Sequence, residues 1–327
     1  MNMKIAIATG DPAGIGPEIS LKAALDPAVR NACNPIVVSD PGVVERHAKA
    51  CGIEVELHVV ARVADAQWSG RQLNVLDCAQ PEAAGLDFGS RSAAGGRASL
   101  AFAGKAIQAA LAGEVDAVVA APQDETSIAL AGIPFDGYPS FVARETGMNP
   151  HDVFLMLCFG DKRIVHATLH VGVAEAVALI TRDRVGRAIR AADTALRRIG
   201  VVAPKIGVSG LNPHAGEGGL FGREEIETIA PAIEAAQKGG IAVDGPFGAD
   251  TLFHRKGYDA FIVMLHDQGH IAAKLLAQNA AAALTIGSPI LFSSVAHGSA
   301  LDIAGRNRAS PAALIEAVQW LAGAYNP

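Results

Sequence analysis

Residues 163–211 read RIVHATLHVGVAEAVALITRDRVGRAIRAADTALRRIGVVAPKIGVSGL and show the alternation that runs along the whole chain. Two β-branched runs, Arg163–Thr168 and Lys205–Leu211, flank a stretch from Val173 to Ile199 whose apolar residues recur at roughly helical spacing. Strand, helix and strand in this order predict an α/β fold with a largely parallel sheet flanked by helices. The same alternation predicts further strands at Lys4–Thr9, Pro35–Ser39, Glu54–Val60, Leu73–Leu76, Asp116–Ala120, Val153–Leu157, Ala260–Leu265 and Ala283–Ile286.

The length and composition indicate a compact enzyme with two lobes. At 327 residues, the chain exceeds the ~250–300 residues at which a single hydrophobic core stops growing. We expect one lobe boundary near residue 125 and a return of the chain near residue 285. Half of the residues are apolar and only 18% are charged, which indicates that some apolar surface is covered in an oligomer. A net charge of −6 without a run of Lys or Arg argues against a nucleic-acid-binding surface.

The cysteines and the first residues predict a cytoplasmic protein. Cys33, Cys51, Cys78 and Cys158 lie far apart and form no C-x-x-C pair, a spacing typical of reduced thiols. The apolar run at residues 4–8 is too short for a signal peptide, and no stretch approaches the ~18 apolar residues of a membrane span. We therefore expect no contact with a membrane.

Three apolar strands are each followed by histidines in polar or glycine-rich sequence, in Ile164–His170, Ile206–His214 and Phe261–His270. Ligands of open α/β sheets bind beyond the carboxyl ends of the strands. Three imidazoles from three strands therefore predict a metal site with one position left for a substrate oxygen. The first segment contains both His166 and His170, and spacing alone does not choose between them. An imidazole set suits zinc, and cobalt, nickel or iron would also fit.

Each of these histidines taken singly is more often a structural residue with satisfied hydrogen bonds. Two features favour the metal site over that alternative. The glycines of Asn212–Gly219 would let a ligand approach the backbone closely. The run that ends in His266–His270 places several polar groups directly after an apolar strand, and burying them costs free energy unless something binds them.

The segment Ala296–Gly305 combines two glycines and a carboxylate before the C-terminal helix. One interpretation is a surface loop capped by Asp302. In the other, an adenine ring lies on the loop at His297, Gly298 and Ser299, and Asp302 accepts hydrogen bonds from the ribose diol. A carboxylate there would repel a 2′-phosphate, so this second interpretation predicts NAD rather than NADP.

The glycine-rich segment Gly10–Glu18 follows the first strand but does not fit a Rossmann fingerprint. It lacks the third glycine at the required offset, and Pro17 is better explained as the first residue of a helix. We predict that this segment forms a wall of the active cleft. Near the other end of the chain, Ser310 followed by Pro311 predicts another helix start.

Several of these motifs together resemble the 4-hydroxythreonine-4-phosphate dehydrogenase family. The segments that carry the resemblance are Gly10–Glu18, Leu211–Gly219, Gly245–Phe253, His266–Gly269 and His297–Gly305. The last of them is also similar to the adenosine loop of isopropylmalate dehydrogenases, which share the family's fold. The resemblance therefore implies an isopropylmalate-dehydrogenase-like fold, with two α/β lobes and a cleft between them.

The resemblance also implies a homodimer whose active site is shared across the subunit interface. It implies a divalent metal, with zinc expected, held by His170, His214 and His266, and NAD as the hydride acceptor. It assigns residues 1–125 plus 285–327 to an outer lobe that includes the adenosine loop. Residues 126–284 would then form the lobe for metal binding and dimerisation.

The chain departs from the family at the positions that hold a substrate phosphate. The biosynthetic enzymes use a His-Thr pair, a Lys, an Asn and an Arg, and only the lysine is kept, as Lys274. Tyr138 and Pro139 replace the His-Thr pair, while Ala283 and Phe292 align with the Asn and the Arg. Each lost charge-assisted bond forfeits ~1.5–3 kcal/mol. Tyr138 and Phe292 would instead offer flat apolar faces to a carbocyclic ring.

The sequence is more similar to the terephthalate cis-dihydrodiol dehydrogenase branch of this family. The segments that match it are Gly137–Ser140, Arg163–His170, His266–His270, Lys274–Ala277 and Ser293–Val295. Such enzymes oxidise 1,2-dihydroxy-3,5-cyclohexadiene-1,4-dicarboxylate, and loss of CO2 then gives 3,4-dihydroxybenzoate and NADH. The resemblance implies that Lys274 binds a substrate carboxylate or donates a proton. It leaves Asp250 and Asp267 as candidates for the base or for orienting a ligating histidine.

Three alternatives remain open from the sequence. The first is a 4-hydroxythreonine-4-phosphate or phosphothreonate-type dehydrogenase, against which Phe292 is the main feature. The second is a zinc hydrolase that activates water, for which the Asp302 loop would be incidental. The third is a ligand-sensing protein on this scaffold, which would leave the histidines and Lys274 unexplained.

Overall fold

The computed structural model describes residues 2–277 and 281–325. The chain divides into two compact units, which we call unit 1 (residues 1–146 and 289–326) and unit 2 (residues 147–288). The sequence-based lobe ranges, 1–125 plus 285–327 and 126–284, stay predictions.

The two units contain a mixture of strands and helices. The strands are β1 (Lys4–Ala8), β2 (Asn34–Ser39), β3 (Leu57–Val60), β4 (Leu73–Asp77), β5 (Ala117–Ala120), β6 (Phe154–Phe159), β7 (Lys162–His166), β8 (Lys205–Ser209), β9 (Ala242–Phe247), β10 (Ala260–Val263), β11 (Ala282–Ile286) and β12 (Leu291–Val295). The α-helices are α1 (Gly16–Leu25), α2 (Pro27–Ala32), α3 (Pro41–Cys51), α4 (Pro81–Ala84), α5 (Ala93–Leu111), α6 (Glu125–Leu130), α7 (Tyr138–Glu145), α8 (Val173–Leu179), α9 (Arg182–Arg198), α10 (Ala230–Lys238), α11 (His266–Ala277) and α12 (Ala312–Leu321).

Unit 1 is built on parallel strands in the order β3-β4-β2-β1-β5-β12. The interior strand β1 is buried over Ile5–Ala8, as its near-continuous apolar run requires. Helix α5 packs on these strands, and its Phe102 is fully buried in the core with Val38 and Val118. The loops after β1, β5 and β12 leave the sheet at the carboxyl ends of their strands, where ligands of such sheets bind.

Unit 2 has strand order β11-β6-β7-β10-β8-β9. The first three strands pair antiparallel, and β7, β10, β8 and β9 pair parallel. Leu157, Phe261 and Val263 pack in its core. In register, His166 at the end of β7 lies beside Leu155 of β6 and Val263 of β10. His166 therefore lies on an interior strand, paired with a neighbouring strand on each side.

The structure confirms the α/β class and each predicted strand within a few residues. Two strands were not predicted. In β9, Gly245 and Pro246 are residues that sequence patterns treat as breakers, and β12 interrupts its apolar run with Ser293 and Ser294. The finer expectation of an isopropylmalate-dehydrogenase-like fold stays a prediction.

The helical stretch predicted at residues 173–199 consists of two helices, α8 and α9. Thr181 lies between them in an extended conformation, and its side chain accepts a hydrogen bond from the Arg184 backbone, which starts a new helix. Pro17 lies in the first turn of α1, and α12 begins directly after Pro311, as predicted. Within residues 2–277 and 281–325, no helix combines the length and apolar character needed to cross a membrane.

Candidate metal and cofactor sites

Unit 2 brings four histidines together beside the carboxyl end of β7. His166 is the last residue of β7 and is 1% exposed, and His170 lies on the bend that follows. His266 and His270 are one turn apart at the start of α11, so their rings share one face of the helix. These two rings are stacked, with centroids 3.8 Å apart and planes inclined by 10°.

His170 and His266 have the separation expected of two ligands on one ion, because their ring centroids are 5.6 Å apart. A zinc–nitrogen bond of about 2.0–2.1 Å places each centroid roughly 3.2 Å from the ion, so tetrahedral imidazole ligands have centroids about 5 Å apart. His266 Nδ1 is 2.7 Å from Asp267 Oδ1. A carboxylate can only accept here, so Nδ1 carries the proton and Nε2 keeps its lone pair for a metal.

The third predicted ligand, His214, lies on a left-handed turn. Five successive residues have φ between 43° and 78°: His214, Ala215, Gly216, Glu217 and Gly218. Three of them are not glycine, and each such residue costs roughly 1–2 kcal/mol in this conformation. The His214 side chain is 66% exposed. Strain of this kind persists only where the surroundings enforce it.

Glu225 enforces the conformation of this turn. Its carboxylate, in a residue only 3% exposed, accepts hydrogen bonds from the backbone of Leu211 and Asn212, each at 2.7 Å. Its other oxygen accepts from the Asn212 side chain at 3.0 Å. A Cβ atom at Gly216 would lie 2.7 Å from this oxygen, so a side chain there is excluded. Glu225 therefore fixes both ends of the chain segment that carries His214.

The structure brings His170 and His266 together but does not complete a three-ligand set. In the parts of the chain that the structure describes, no three His, Cys, Asp or Glu side chains converge closely enough to hold an ion. The only ring contact seen there for His214 is with Phe221, at 6.3 Å. The assignment of His170, His214 and His266 to one ion stays a prediction. The donors present, imidazole nitrogens with a carboxylate behind one of them, fit a zinc-type divalent ion.

The candidate catalytic groups of unit 2 are exposed. Asp267 is 78% exposed and holds His266, which fits an orienting role better than that of a base. A Cβ atom at Gly248 would lie 2.8 Å from Asp250 Oδ1 and 3.8 Å from the His214 Cα atom, so Asp250 lies near the His214 turn. Lys274 is exposed on α11, one turn beyond His270. Their positions leave Lys274 and Asp250 accessible to a ligand.

Unit 1 contains a cavity of about 600 Å³ next to the predicted adenosine loop. The residues that line it are Arg91, Gln123, Asp124, Glu125, Thr126, Gly298, Ser299, Ala300, Leu301 and Asp302. Asp302 is exposed at this wall, and His297 lies just before it with Nδ1 3.2 Å from the Gly298 carbonyl. Three of the predicted cofactor residues therefore line one cavity.

Two side chains of this cavity carry buried polar atoms that have no hydrogen-bond partner among the residues that the structure describes. They are Ser299 Oγ and both polar atoms of the Gln123 side chain, Oε1 and Nε2. Leaving such a group unpaired costs about 1–3 kcal/mol, which a polar ligand would recover. Sequence reasoning missed Gln123, although it follows Pro122 directly after β5 and thus lies at a strand end.

The loop after β1, the predicted cleft wall, buries a carboxylate at the same end of the unit 1 sheet. Asp11 is 1% exposed, and its Oδ1 accepts from the Ala13 backbone at 2.8 Å. Burial raises the pKa of Asp11 to about 6, although the hydrogen bond from Ala13 opposes the shift. The next part of this loop is joined to the adenosine loop, since the Ile15 backbone donates to the Ser299 carbonyl at 2.9 Å.

The predicted substrate contacts Tyr138, Pro139 and Phe292 lie in unit 1. Tyr138 and Pro139 form the start of α7, and the Tyr138 hydroxyl donates to the Ala121 carbonyl at 2.8 Å. Burial raises the pKa of this hydroxyl. Phe292 is 1% exposed in the core, with its ring centroid 5.1 Å from that of Tyr138. The structure thus differs from the expectation of an open Phe292 face, because β12 points this side chain inward.

Comparison with known proteins places the chain in a family. Residues 31–321 match the model of the pyridoxal phosphate biosynthetic protein PdxA family. A 1,2-dihydroxy-3,5-cyclohexadiene-1,4-dicarboxylate dehydrogenase of Comamonas sp is 43% identical over 322 residues, which cover 98% of each chain. The chain belongs to the PdxA family.

Solved structures agree with this membership. A terephthalate 1,2-cis-dihydrodiol dehydrogenase from Burkholderia xenovorans LB400 has 44% identity and a TM-score of 0.77, covering 99% of this chain and 98% of the other. A 4-hydroxythreonine-4-phosphate dehydrogenase from Burkholderia phymatum has 34% identity and a TM-score of 0.88, with coverage of 99% and 98%. These relatives are named dehydrogenases, so the chain is an oxidoreductase of that type.

Proposed function

We propose that this protein is a metal- and NAD-dependent dehydrogenase that oxidatively decarboxylates a carboxylated cis-dihydrodiol. The product from terephthalate dihydrodiol would be 3,4-dihydroxybenzoate, with CO2 and NADH. The observation that carries the proposal is the His170–His266 pair with Asp267 behind it, in a chain 43% identical to a dehydrogenase named for this substrate.

The reaction balances as an oxidation followed by loss of CO2. The ring carbon that bears hydrogen and hydroxyl gives a hydride to NAD, its hydroxyl gives up a proton, and a ketone forms. This ketone is β to the carboxylate on the neighbouring carbon, so the carbon–carbon bond to CO2 can break and its electron pair joins the new aromatic ring. The former ketone oxygen takes up one proton, which replaces the proton released in the oxidation, and becomes the second phenol hydroxyl. A divalent ion, when bound, would lower the pKa of the substrate hydroxyl and favour its deprotonation.

The side chains of unit 2 would bind and orient the substrate. His170 and His266 present nitrogen lone pairs, and Asp267 keeps His266 in the tautomer that leaves Nε2 unprotonated. Lys274, exposed on α11, suits a substrate carboxylate. Asp250 is the acidic group beside the His214 turn and is our candidate for the proton acceptor.

We propose that the cavity of unit 1 holds the adenosine part of NAD. Ser299 and Gln123 offer unpaired polar atoms, and Asp302 is available to a ribose diol. Besides Asp302, the wall carries two carboxylates, those of Asp124 and Glu125, and one cation, Arg91. Arg91 is paired with Asp124 at 3.1 Å, so the carboxylates of Asp302 and Glu125 are in excess. This excess of negative charge disfavours the 2′-phosphate of NADP and supports NAD.

We also propose a homodimer with a shared active site. Most exposed large apolar side chains of the described chain lie in unit 2, including Val173, Leu220 and Leu275, which are 71%, 72% and 76% exposed. Such a surface is typical of a covered interface. A shared site would also account for the incomplete ligand set in the described part of one chain. A cytoplasmic location stays a prediction.

A phosphorylated substrate is the second candidate, favoured by the similarity to a 4-hydroxythreonine-4-phosphate dehydrogenase and by Lys274. Against it stand Tyr138 and Phe292, which supply no charge for a phosphate at the positions where they align.

Steady-state assays decide between the two. The protein, loaded in turn with Zn²⁺, Co²⁺ or Mn²⁺, is incubated with NAD and either the dicarboxylated dihydrodiol or 4-phosphohydroxythreonine. NADH is followed by absorbance and 3,4-dihydroxybenzoate by chromatography. We expect turnover with the dihydrodiol only, and turnover with the phosphate ester alone would overturn the proposal. Activity without NAD on ester or amide substrates would instead indicate a hydrolase.

A further inference from the structure

The proposed ligands leave two histidines of the cluster unexplained, His166 and His270. His270 Nδ1 is 3.0 Å from His166 Nε2, and the ring centroids are 4.6 Å apart. His166 Nδ1 is 3.4 Å from the Leu155 carbonyl. The two rings therefore link the β6 backbone to the stacked pair at the start of α11.

The carbonyl fixes the direction of these hydrogen bonds. Because the Leu155 oxygen can only accept, His166 Nδ1 carries a proton and donates it. His166 is 1% exposed, and such burial disfavours a charged ring, so the neutral ring offers Nε2 as an acceptor. His270 Nδ1 must then be the donor to His166. Each ring has one tautomer and one orientation.

Helix α11 packs closely against the His166 ring. A Cβ atom at Gly269 would lie 2.3 Å from His166 Nε2, so α11 contacts the His166 ring through a residue without a side chain. The His270 ring, which is hydrogen-bonded to His166, stacks on one face of the His266 ring with a centroid distance of 3.8 Å. That distance is shorter than the roughly 5 Å between two tetrahedral ligands, which separates His270 from the role given to His170.

We infer that His166 and His270 are positioning residues that fix the ring of His266 for metal binding, a role that rests on the proposed function. Asp267 fixes the tautomer of His266 through a hydrogen bond to Nδ1. The His166–His270 pair fixes the plane of the His266 ring through stacking. Supporting groups of this kind typically contribute 10–100-fold to metal affinity.

The test measures metal binding directly. Apo protein of the wild type and of His270→Phe, His166→Phe and His266→Ala is titrated with Zn²⁺ against a chromophoric chelator. The visible spectrum of the Co²⁺ form reports the coordination geometry. Phenylalanine keeps an aromatic ring against His266 and removes the hydrogen bond. The control is His58→Ala, a half-buried histidine on the edge strand β3 of unit 1.

We expect His270→Phe and His166→Phe to weaken Zn²⁺ binding 10–100-fold and to change the Co²⁺ spectrum, while His266→Ala loses binding and His58→Ala matches the wild type. Wild-type affinity in His270→Phe would overturn the inference. Binding lost as fully in His270→Phe as in His266→Ala would make His270 a ligand and overturn it too. Because His166 is buried, the Zn²⁺ affinity of His166→Phe is interpreted only if its melting temperature is close to that of the wild type. If it is not, the result for His270→Phe alone tests the inference. A wild type without Zn²⁺ affinity would refute the proposed function itself.

Discussion

The loop after β8 in unit 2 and the loop after β1 in unit 1 each contact a buried carboxylate, but the two carboxylates differ in how fully they are hydrogen-bonded. Glu225 accepts hydrogen bonds from two backbone N–H groups and from Asn212, and it holds a strained turn. Asp11 accepts one from Ala13, and within the described residues its Oδ2 has no partner in hydrogen-bonding geometry.

The same contrast extends to the neighbouring groups. In unit 2, His266 is paired with Asp267 and His270 with His166, so these rings are oriented before any ligand arrives. In unit 1, Ser299 and Gln123 keep unpaired polar atoms beside a cavity. The paired polar groups of unit 2 stabilise the fold. The unpaired polar atoms of unit 1 lower its stability and leave it able to bind a polar ligand.

The largest effect is expected at His266, on which the organisation of unit 2 converges. His266→Ala should lower Zn²⁺ affinity by more than about 100-fold, because even supporting groups contribute 10–100-fold. Chelator competition measures it, and His58→Ala serves as the control. Unchanged affinity would refute the ligand assignment.

Glu225→Ala should destabilise the protein by roughly 2–6 kcal/mol, because two backbone donors lose their acceptor. Urea unfolding at constant slope gives the free energy of unfolding. Glu227→Ala is the matched control, since Glu227 is exposed and forms a surface ion pair with Arg223, for which about 0–1 kcal/mol is expected. Equal effects of the two substitutions would remove the contrast between the loops.

Asp11→Asn should raise the free energy of unfolding, the opposite of the effect expected for Glu225→Ala. The pKa of Asp11 is raised from 3.8 to about 6, so the wild type loses stability as the pH rises through the window from about 4 to 6, where the folded state must give up a favoured proton. The amide avoids this loss, and the variant should be more stable by up to about 3 kcal/mol at pH 8, with little difference at pH 4. Thermal melts at both pH values measure the difference. Asp136→Asn, at an exposed carboxylate, should show no such dependence.

Gln123→Leu is expected to have the smallest effect, about 10-fold weaker NAD binding with unchanged or higher stability, since about one hydrogen bond of free energy is lost to the ligand. Calorimetry with NAD tests this, with the exposed Gln108→Leu as control. If the variant bound NAD like the wild type, Gln123 would not face the cofactor.

Local patterns were sufficient for most of the strands, for the α/β class and for the neighbourhood of the site. The segments that carry His170 and His266 both follow apolar strands, and that pattern predicted that the segments meet, because carboxyl ends of parallel strands share one edge of a sheet. The choice of His170 over His166 came from the family resemblance. Gly298, Ser299 and Asp302 were likewise predicted from glycine spacing and one carboxylate, and they line a cavity. The sequence could not predict that Phe292 points inward, since strand phase depends on pairing partners.

The sequence by itself determined the alternation of strands and helices, the histidines at strand ends and the family, since these depend on periodicity and on motifs a few residues long. Only the tertiary structure decided which polar groups are satisfied. His166 and His270 are 104 residues apart, and Gln123 remains unpaired beside Ser299 from a distant loop. Hydrogen bonding depends on ångström-scale distances between remote segments, and these distances are fixed only when the chain is folded.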